Sequence, residues 1–395
     1  MKHQRKHATQ PPALTFLVVA LMAVCQIASE SGGVAQAFAP AAPFAGRSVA
    51  DQSYQQKHQQ EQPSSSSFLF SSLKEVQGEA ATQEEEAAQE EEFVELSKEE
   101  FESRLNEQLE KLRKVDETSM ELTKESLDVV FEDKDLIVIN KPSGVLTLGG
   151  KEKHPNLADA TFDNFEVNLP TADHMIVQRL PMDVSGVIAL AKNMDALRKM
   201  NGAFRERKVE RKYEVLVCGH VKKSEGIISL PLMRDYECPP FVRISTLDHQ
   251  RALLVLEEQE GVAKKYLEMP KDCRTQYLVE SREELEGQPV TRLSVTMHTG
   301  RYHQLNCHMA ALGHPIVGDT LYGIDGDALP NGGLTAEEQD ALIPNRRRAT
   351  EEIQRAISEI AKDKDMGPCV HHKSIQFSHP LDKFETINFV SEAPF

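Results

Sequence analysis

The chain has 395 residues, 40% hydrophobic and 27% charged, which is long and apolar enough to bury a core. With no Trp, and with 21 Gly and 20 Pro that follow no period, collagen-like and coiled-coil classes are excluded. The net charge of −17, from 45 basic and 62 acidic residues, argues against a nucleic-acid binder held by bulk positive charge.

The chain opens with Lys2, Arg5 and Lys6, then a 12-residue apolar run over 13–24. A bilayer core needs about 20 apolar residues, so the run is read as a signal-peptide core, with cleavage after Ala35-Gln36-Ala37. Phe38-Ala39-Pro40 follows, then a Gln- and Ser-rich stretch to residue 75 with little to bury. These features resemble the two-part presequence of diatom-type algae with complex plastids. The resemblance implies a signal peptide at 1–37, a transit peptide and linker at 38–75, and import into the plastid, with ordinary secretion as the competing reading. No membrane association is expected of the mature protein.

Residues 75–110 hold fourteen acids against two bases, so most of the net charge sits there. This reads as a solvated tether, with a docking surface for a basic protein partner as the alternative. Within the segment 76–126, Ser97 and Glu100 have capping-box spacing, and Phe101, Leu105, Leu109 and Leu112 recur at helical intervals. One packing helix or spacer is predicted.

From residue 127 the texture becomes that of a folded domain. Residues 128–140 read as strand, acidic turn and strand, and Lys141-Pro142-Ser143-Gly144 ends the second. Further strands are predicted at 187–191, 212–218 and 294–297, with helices at 192–207 and 303–312. Many strands and few helices indicate an α+β fold with a largely antiparallel or mixed sheet. Five of the six Cys lie beyond the leader and form no Cys-x-x-Cys pair, so neither a disulfide framework nor a thiolate zinc site is indicated. No dinucleotide fingerprint, P-loop or zincin motif is present. His303, His308 and His314 are spaced by five and six, which does not stack them on one helix face, so no metal is expected.

Six segments, in order, resemble the RluA-type pseudouridine synthases. Residues 129–144 are similar to that family's first signature, and 178–186 (QRLPMDVSG) lie where it has H-R-L-D-x-x-T-S-G. Residues 211–219 resemble K-x-Y-x-x-L-V-x-G, and 226–235 resemble G-x-I-x-x-P-L-x-x-D. Residues 299–319 resemble T-G-R-T-H-Q-I-R-V-H-L followed by G-H-P-I-x-G-D, and 371–380 the closing motif. The resemblance implies a pseudouridine synthase domain over 127–395, with insertions near 246–270 and 324–367. It also implies a mixed, largely antiparallel eight-stranded sheet with an RNA-binding cleft, structured RNA (rRNA or tRNA) as partner, and no cofactor.

By the same resemblance, Arg179 matches the residue that fills the hole left by a flipped base, and Tyr213 the residue that stacks on the uracil. Lys141, Arg301, His303 and Gln304 are candidate RNA contacts, and Arg205 and Arg207 further phosphate contacts. Two positions depart from the pattern. Pro181 stands at the family's catalytic Asp and cannot supply a carboxylate. Asn306 stands at the Arg that pairs with that Asp, and a guanidinium left there alone would be an unpaired buried charge. Asp183 is the nearby carboxylate, two residues along an extended segment and so expected on the same side. These departures argue for weak or absent isomerisation. The readings left open are a synthase working through a relocated carboxylate, an RNA-binding or assembly factor of degenerate site, and a protein-interaction scaffold.

Overall fold

The structure, a computed structural model, describes residues 97–258, 269–344, 347–382 and 385–395, all within one compact unit, Glu92–Phe395. The segments read as a leader and transit peptide, and the acidic run before residue 97, lie outside the described residues. The first element is α1 (Lys98–Asp116), followed by β1 (Val129–Glu132), β2 (Leu136–Lys141) and α2 (Leu157–Asn164). Next come β3 (Ser185–Ala191), α3 (Met194–Arg205), β4 (Glu210–Cys218), β5 (Glu225–Ile228), β6 (Leu232–Arg234) and β7 (Val242–Ile244). The chain continues through α4 (Leu247–Glu258), β8 (Thr275–Leu285), β9 (Gln288–Met297), α5 (Gln304–Ala311), α6 (Ala336–Leu342), α7 (Glu351–Asp363), β10 (Val370–Ser378) and β11 (Thr386–Val390).

The Ser97–Glu100 capping box predicted for α1 is formed. Ser97 Oγ accepts the Glu100 N–H at 3.2 Å and the Ser97 N–H reaches Glu100 Oε2 at 3.1 Å. The apolar stripe of the helix then finds a partner, because Phe101 and Leu105 are buried with Met233, Tyr236, Ala252, Leu253 and Leu256. Three of those residues lie on α4, so the first insertion supplies the surface that holds α1 against the domain. The helix is therefore a packed part of the fold.

The main sheet has the order β1-β2-β3-β10-β4-β9-β8-β5, and β11 pairs with β10 as a ninth strand. The count exceeds the expected eight because β3 and β10 run side by side, in parallel, only at Ser185–Gly186 and His371–His372. Past that point β10 is free to take β11 from Ser374 to Ser378. Every other pairing between the strands of this sheet, among the described residues, is antiparallel. The fold is thus α+β on a mixed, mostly antiparallel sheet. Gly186 marks the junction with φ of 118°, and a Cβ there would lie 2.4 Å from the His372 carbonyl oxygen. Only glycine lets β3 and β10 approach so closely.

Leu136, Ile137, Val138 and Ile139 are fully buried because β2 is covered on both faces, which its unbroken apolar run anticipates. One face joins the core that holds Leu157 of α2 and Met175, and the other joins Ala196 and Met200 of α3, while the second insertion seats Ala349 and Ile357 on Leu216, Val290 and Cys369. Among the described residues no helix is long and apolar enough to cross a membrane.

Candidate functional site

The loop carrying residues 178–184 is held by the segment that follows β2. Lys141, fully buried, donates from Nζ to three carbonyls, those of Pro142 (2.9 Å), Val145 (2.7 Å) and Met182 (3.0 Å). The Gly144 N–H reaches the same Met182 carbonyl, Ser143 Oγ donates to the Asp183 carbonyl at 2.7 Å, and Thr147 Oγ1 donates to that of Leu180 at 2.7 Å. Burial pushes the Lys141 ammonium down to about 7, and the Asp183 charge acts against that shift. Three carbonyls that only accept hold the protonated form. This corrects the expectation for Lys141, which clamps the loop from inside and has no N–H left for a phosphate.

Residues 181–184 form a turn closed by the Val184 N–H on the Pro181 carbonyl at 3.2 Å. The segment is therefore not extended, and the side that Asp183 shares is set by the turn and not by strand alternation. Pro181 is exposed and Asp183 half-buried. Burial and the neighbouring Asp319 charge raise the Asp183 carboxyl above its ordinary range, while its own N–H and Lys141 pull the other way. Asp319 is itself raised by burial. It accepts the N–H groups of Leu321 (2.8 Å) and Tyr322 (3.0 Å), and Asn306 Nδ2 at 3.0 Å. Position 306 and the 178–184 loop therefore meet in one electrostatic cluster, through Asp319. The amide of Asn306 is spent on that carboxylate, a partner the sequence reading missed although Asp319 closes the 299–319 motif.

Tyr213 lies on β4. Its ring stacks on His372 at 4.5 Å, and His372 Nδ1 donates to the Val187 carbonyl at 2.5 Å, just past the loop. Burial pushes His372 down to about 3, so a neutral imidazole lies under the tyrosine. Arg179 is exposed and, among the described residues, makes no hydrogen bond or ion pair, which leaves it available. Arg205 and Arg207 are also exposed, at the end of α3 and just beyond it.

Of the remaining candidate RNA contacts, only Arg301 faces solvent with a charge. Gln304 is 1% exposed and accepts from Thr299 Oγ1 and the Arg301 N–H while donating to Thr275 Oγ1 and the Arg274 carbonyl. Its amide is consumed in shaping the turn before α5, so direct RNA contact by Gln304 is corrected. His303, a candidate RNA contact, is enclosed by the rings of Tyr302, Phe241 and Tyr322, and burial and Arg234 push it down to about 3, so it is neutral.

His308 and His314 are engaged separately, with the carbonyls of Leu230 (3.0 Å) and Cys218 (2.8 Å). A different trio, Asp133, Asp135 and His379, brings its donor atoms within 4.8 Å of one another. His379 Nδ1 accepts the Asp382 N–H at 3.0 Å, and its Nε2 lies 2.9 Å from Asp133 Oδ2.

The RNA pseudouridylate synthase family matches residues 135–311. A dual-specificity RNA pseudouridine synthase RluA from Yersinia pestis is 36% identical over 194 residues, 49% of this chain and 81% of that protein. The proteins of the same name from Vibrio parahaemolyticus and Escherichia coli K12 are 35% identical over 201 residues and 33% over 197. They are covered to 70% and 77% of their lengths, against 50% of this chain in each case. The solved structure of human RNA pseudouridylate synthase domain containing 4 overlaps with a TM-score of 0.46 at 21% identity, over 68% of this chain and 88% of that one. On the extent and identity of the sequence matches, this chain belongs to the RluA-type RNA pseudouridine synthase family.

Proposed function

We propose that the protein acts on RNA as an RluA-type pseudouridine synthase in which Asp183 supplies the carboxylate beside the target uridine. The observation that supports this reading is the placement of Asp183 on a turn clamped by Lys141, within the field of Asp319, which Asn306 bonds. In the reaction the N1–C1′ bond of uridine breaks, the uracil turns, and C5 bonds to C1′. The C5 proton leaves and the freed nitrogen gains one, so the change is an isomerisation that needs no oxidant or reductant. A carboxylate at C1′ serves as nucleophile or as stabiliser of developing positive charge. Arg179, free on the same loop, is suited to the gap left by the flipped base, at a site where unstacking costs roughly a few kcal/mol. Tyr213 is suited to the uracil face.

The test uses RNA transcribed with tritium at C5 of uridine, incubated with the full chain and with Asp183→Asn. Tritium release by the natural protein, lost in the variant, is the expected result. RNA binding without release would leave the chain an RNA-binding member of the family, and release unchanged in Asp183→Asn would remove Asp183 from the chemistry. The leader reading is proposed on the same footing. Residues 1–60 fused to a reporter are expected to direct it to the plastid, and a secreted or cytosolic reporter would overturn that.

A further inference from the structure

We propose that the Tyr302 ring is a stacking platform for an unpaired nucleobase of the RNA; this rests on the RNA-acting reading above. Tyr302 is 45% exposed, whereas Phe241 and Tyr322, the rings behind it, are each 1% exposed. Between them lies His303, stacked on Tyr302 at 3.7 Å and 21°, stacked on Phe241 at 5.8 Å, and set edge-on to Tyr322 at 5.7 Å. His303 reaches this position with φ of 48°, in the left-handed region that side chains other than glycine rarely adopt. The backbone is thus held in an uncommon conformation that places one ring under another.

A ring backed in this way is already ordered, so a base landing on it loses little further side-chain freedom. Aromatic faces accept any base, which suits single-stranded segments and not paired ones. The surroundings carry the charge a nucleotide needs. The Arg234 guanidinium lies over the Tyr302 ring at 5.7 Å from its centre, a cation–π contact that a bound base would share or displace, and is fixed by the Pro240 carbonyl at 2.6 Å. Arg301 precedes Tyr302 in the chain and Arg179 lies on the uridine loop, both exposed and in no ion pair among the described residues. The Asp183 and Asp116 charges both act on the Tyr302 phenol, and the arginines supply the opposite sign for a phosphate.

The chain contains no Trp, so Tyr302→Trp introduces a single fluorescent reporter at the platform. The probes are a uridine-containing stem–loop RNA and a fully paired duplex of matched length, titrated into the full chain. Indole emission from that variant is expected to be quenched by the stem–loop and not by the duplex. Tyr302→Phe should bind the stem–loop as the natural chain does, and Tyr302→Leu should bind it about tenfold more weakly or worse, with an unchanged urea midpoint. Stem–loop binding by Tyr302→Leu equal to that of the natural protein would overturn the platform and leave the RNA reading intact. Equal quenching by the duplex would overturn the preference for an unpaired base. Failure of the natural chain to bind either RNA would sink the RNA reading itself.

Discussion

The clamp around Lys141 and the acid cluster around Asp183 touch each other yet are built on opposite terms. In the clamp every donor of a buried ammonium has a carbonyl, so the polar group is satisfied and the loop geometry is fixed. In the cluster two carboxylates, Asp183 and Asp319, are crowded together with an amide at position 306 where the family carries a guanidinium. Both acids are accordingly pushed toward the protonated form. The difference teaches that scaffold and chemistry separate cleanly here. The hydrogen bonds that shape the loop go to main-chain atoms, so they persist when the side chains at 181 and 306 change.

The largest effect should come from breaking the clamp. Lys141→Met leaves the carbonyls of Pro142, Val145 and Met182 without their partner, and is expected to cost at least about 3 kcal/mol in urea unfolding. A loss below about 1 kcal/mol would show that the clamp does not hold the loop.

The contrast between satisfied and crowded groups also has a pH signature. His308 is fully buried and pushed down to about 4. The unfolded chain takes up that proton near pH 6.5, so the stability is present above 6.5 and is lost as pH falls toward 4. Each such imidazole contributes about 1.4 kcal/mol per pH unit in that window. Asp319 has the opposite sign. Its raised carboxyl favours the fold at low pH, and that contribution is lost as pH rises through the raised value. Measured from pH 6.5 down to 4, His308→Gln should flatten the stability profile, and Asp319→Asn should steepen it as pH rises from about 3.8. Identical slopes in both variants would contradict the assignment.

Restoring the missing ion pair sharpens the comparison from the other side. Pro181→Asp alone should raise tritium release little, because no guanidinium orients or ionises the new acid. Together with Asn306→Arg it should exceed the two single changes combined, with a coupling on the order of 1–3 kcal/mol. Simple additivity would mean that the two positions do not act as a pair. The smallest effect is expected at the edge of the fold, where Ser97→Ala should cost about 1 kcal/mol through loss of the α1 cap.

Much of this molecule is legible in the sequence wherever short-range rules decide. The α1 cap and stripe, the strand–turn–strand of β1 and β2, and the six ordered segments of the domain follow from spacing and motif. So do the departures at 181 and 306, because they are identities at fixed positions. What the sequence could not decide is where polar side chains turn. Lys141 and Gln304 have the chemistry of RNA contacts, but three carbonyls claim the first and the turn before α5 claims the second. The same limit holds for Asp183, whose side follows from a turn closed by one backbone hydrogen bond, and for the ninth strand, which exists because β3 leaves β10 after two residues. Sequence determined which groups are present and in what order. Tertiary structure decided their partners, because a buried polar atom must bond to whatever the fold brings within about 3 Å, and that neighbour is usually far away in the chain.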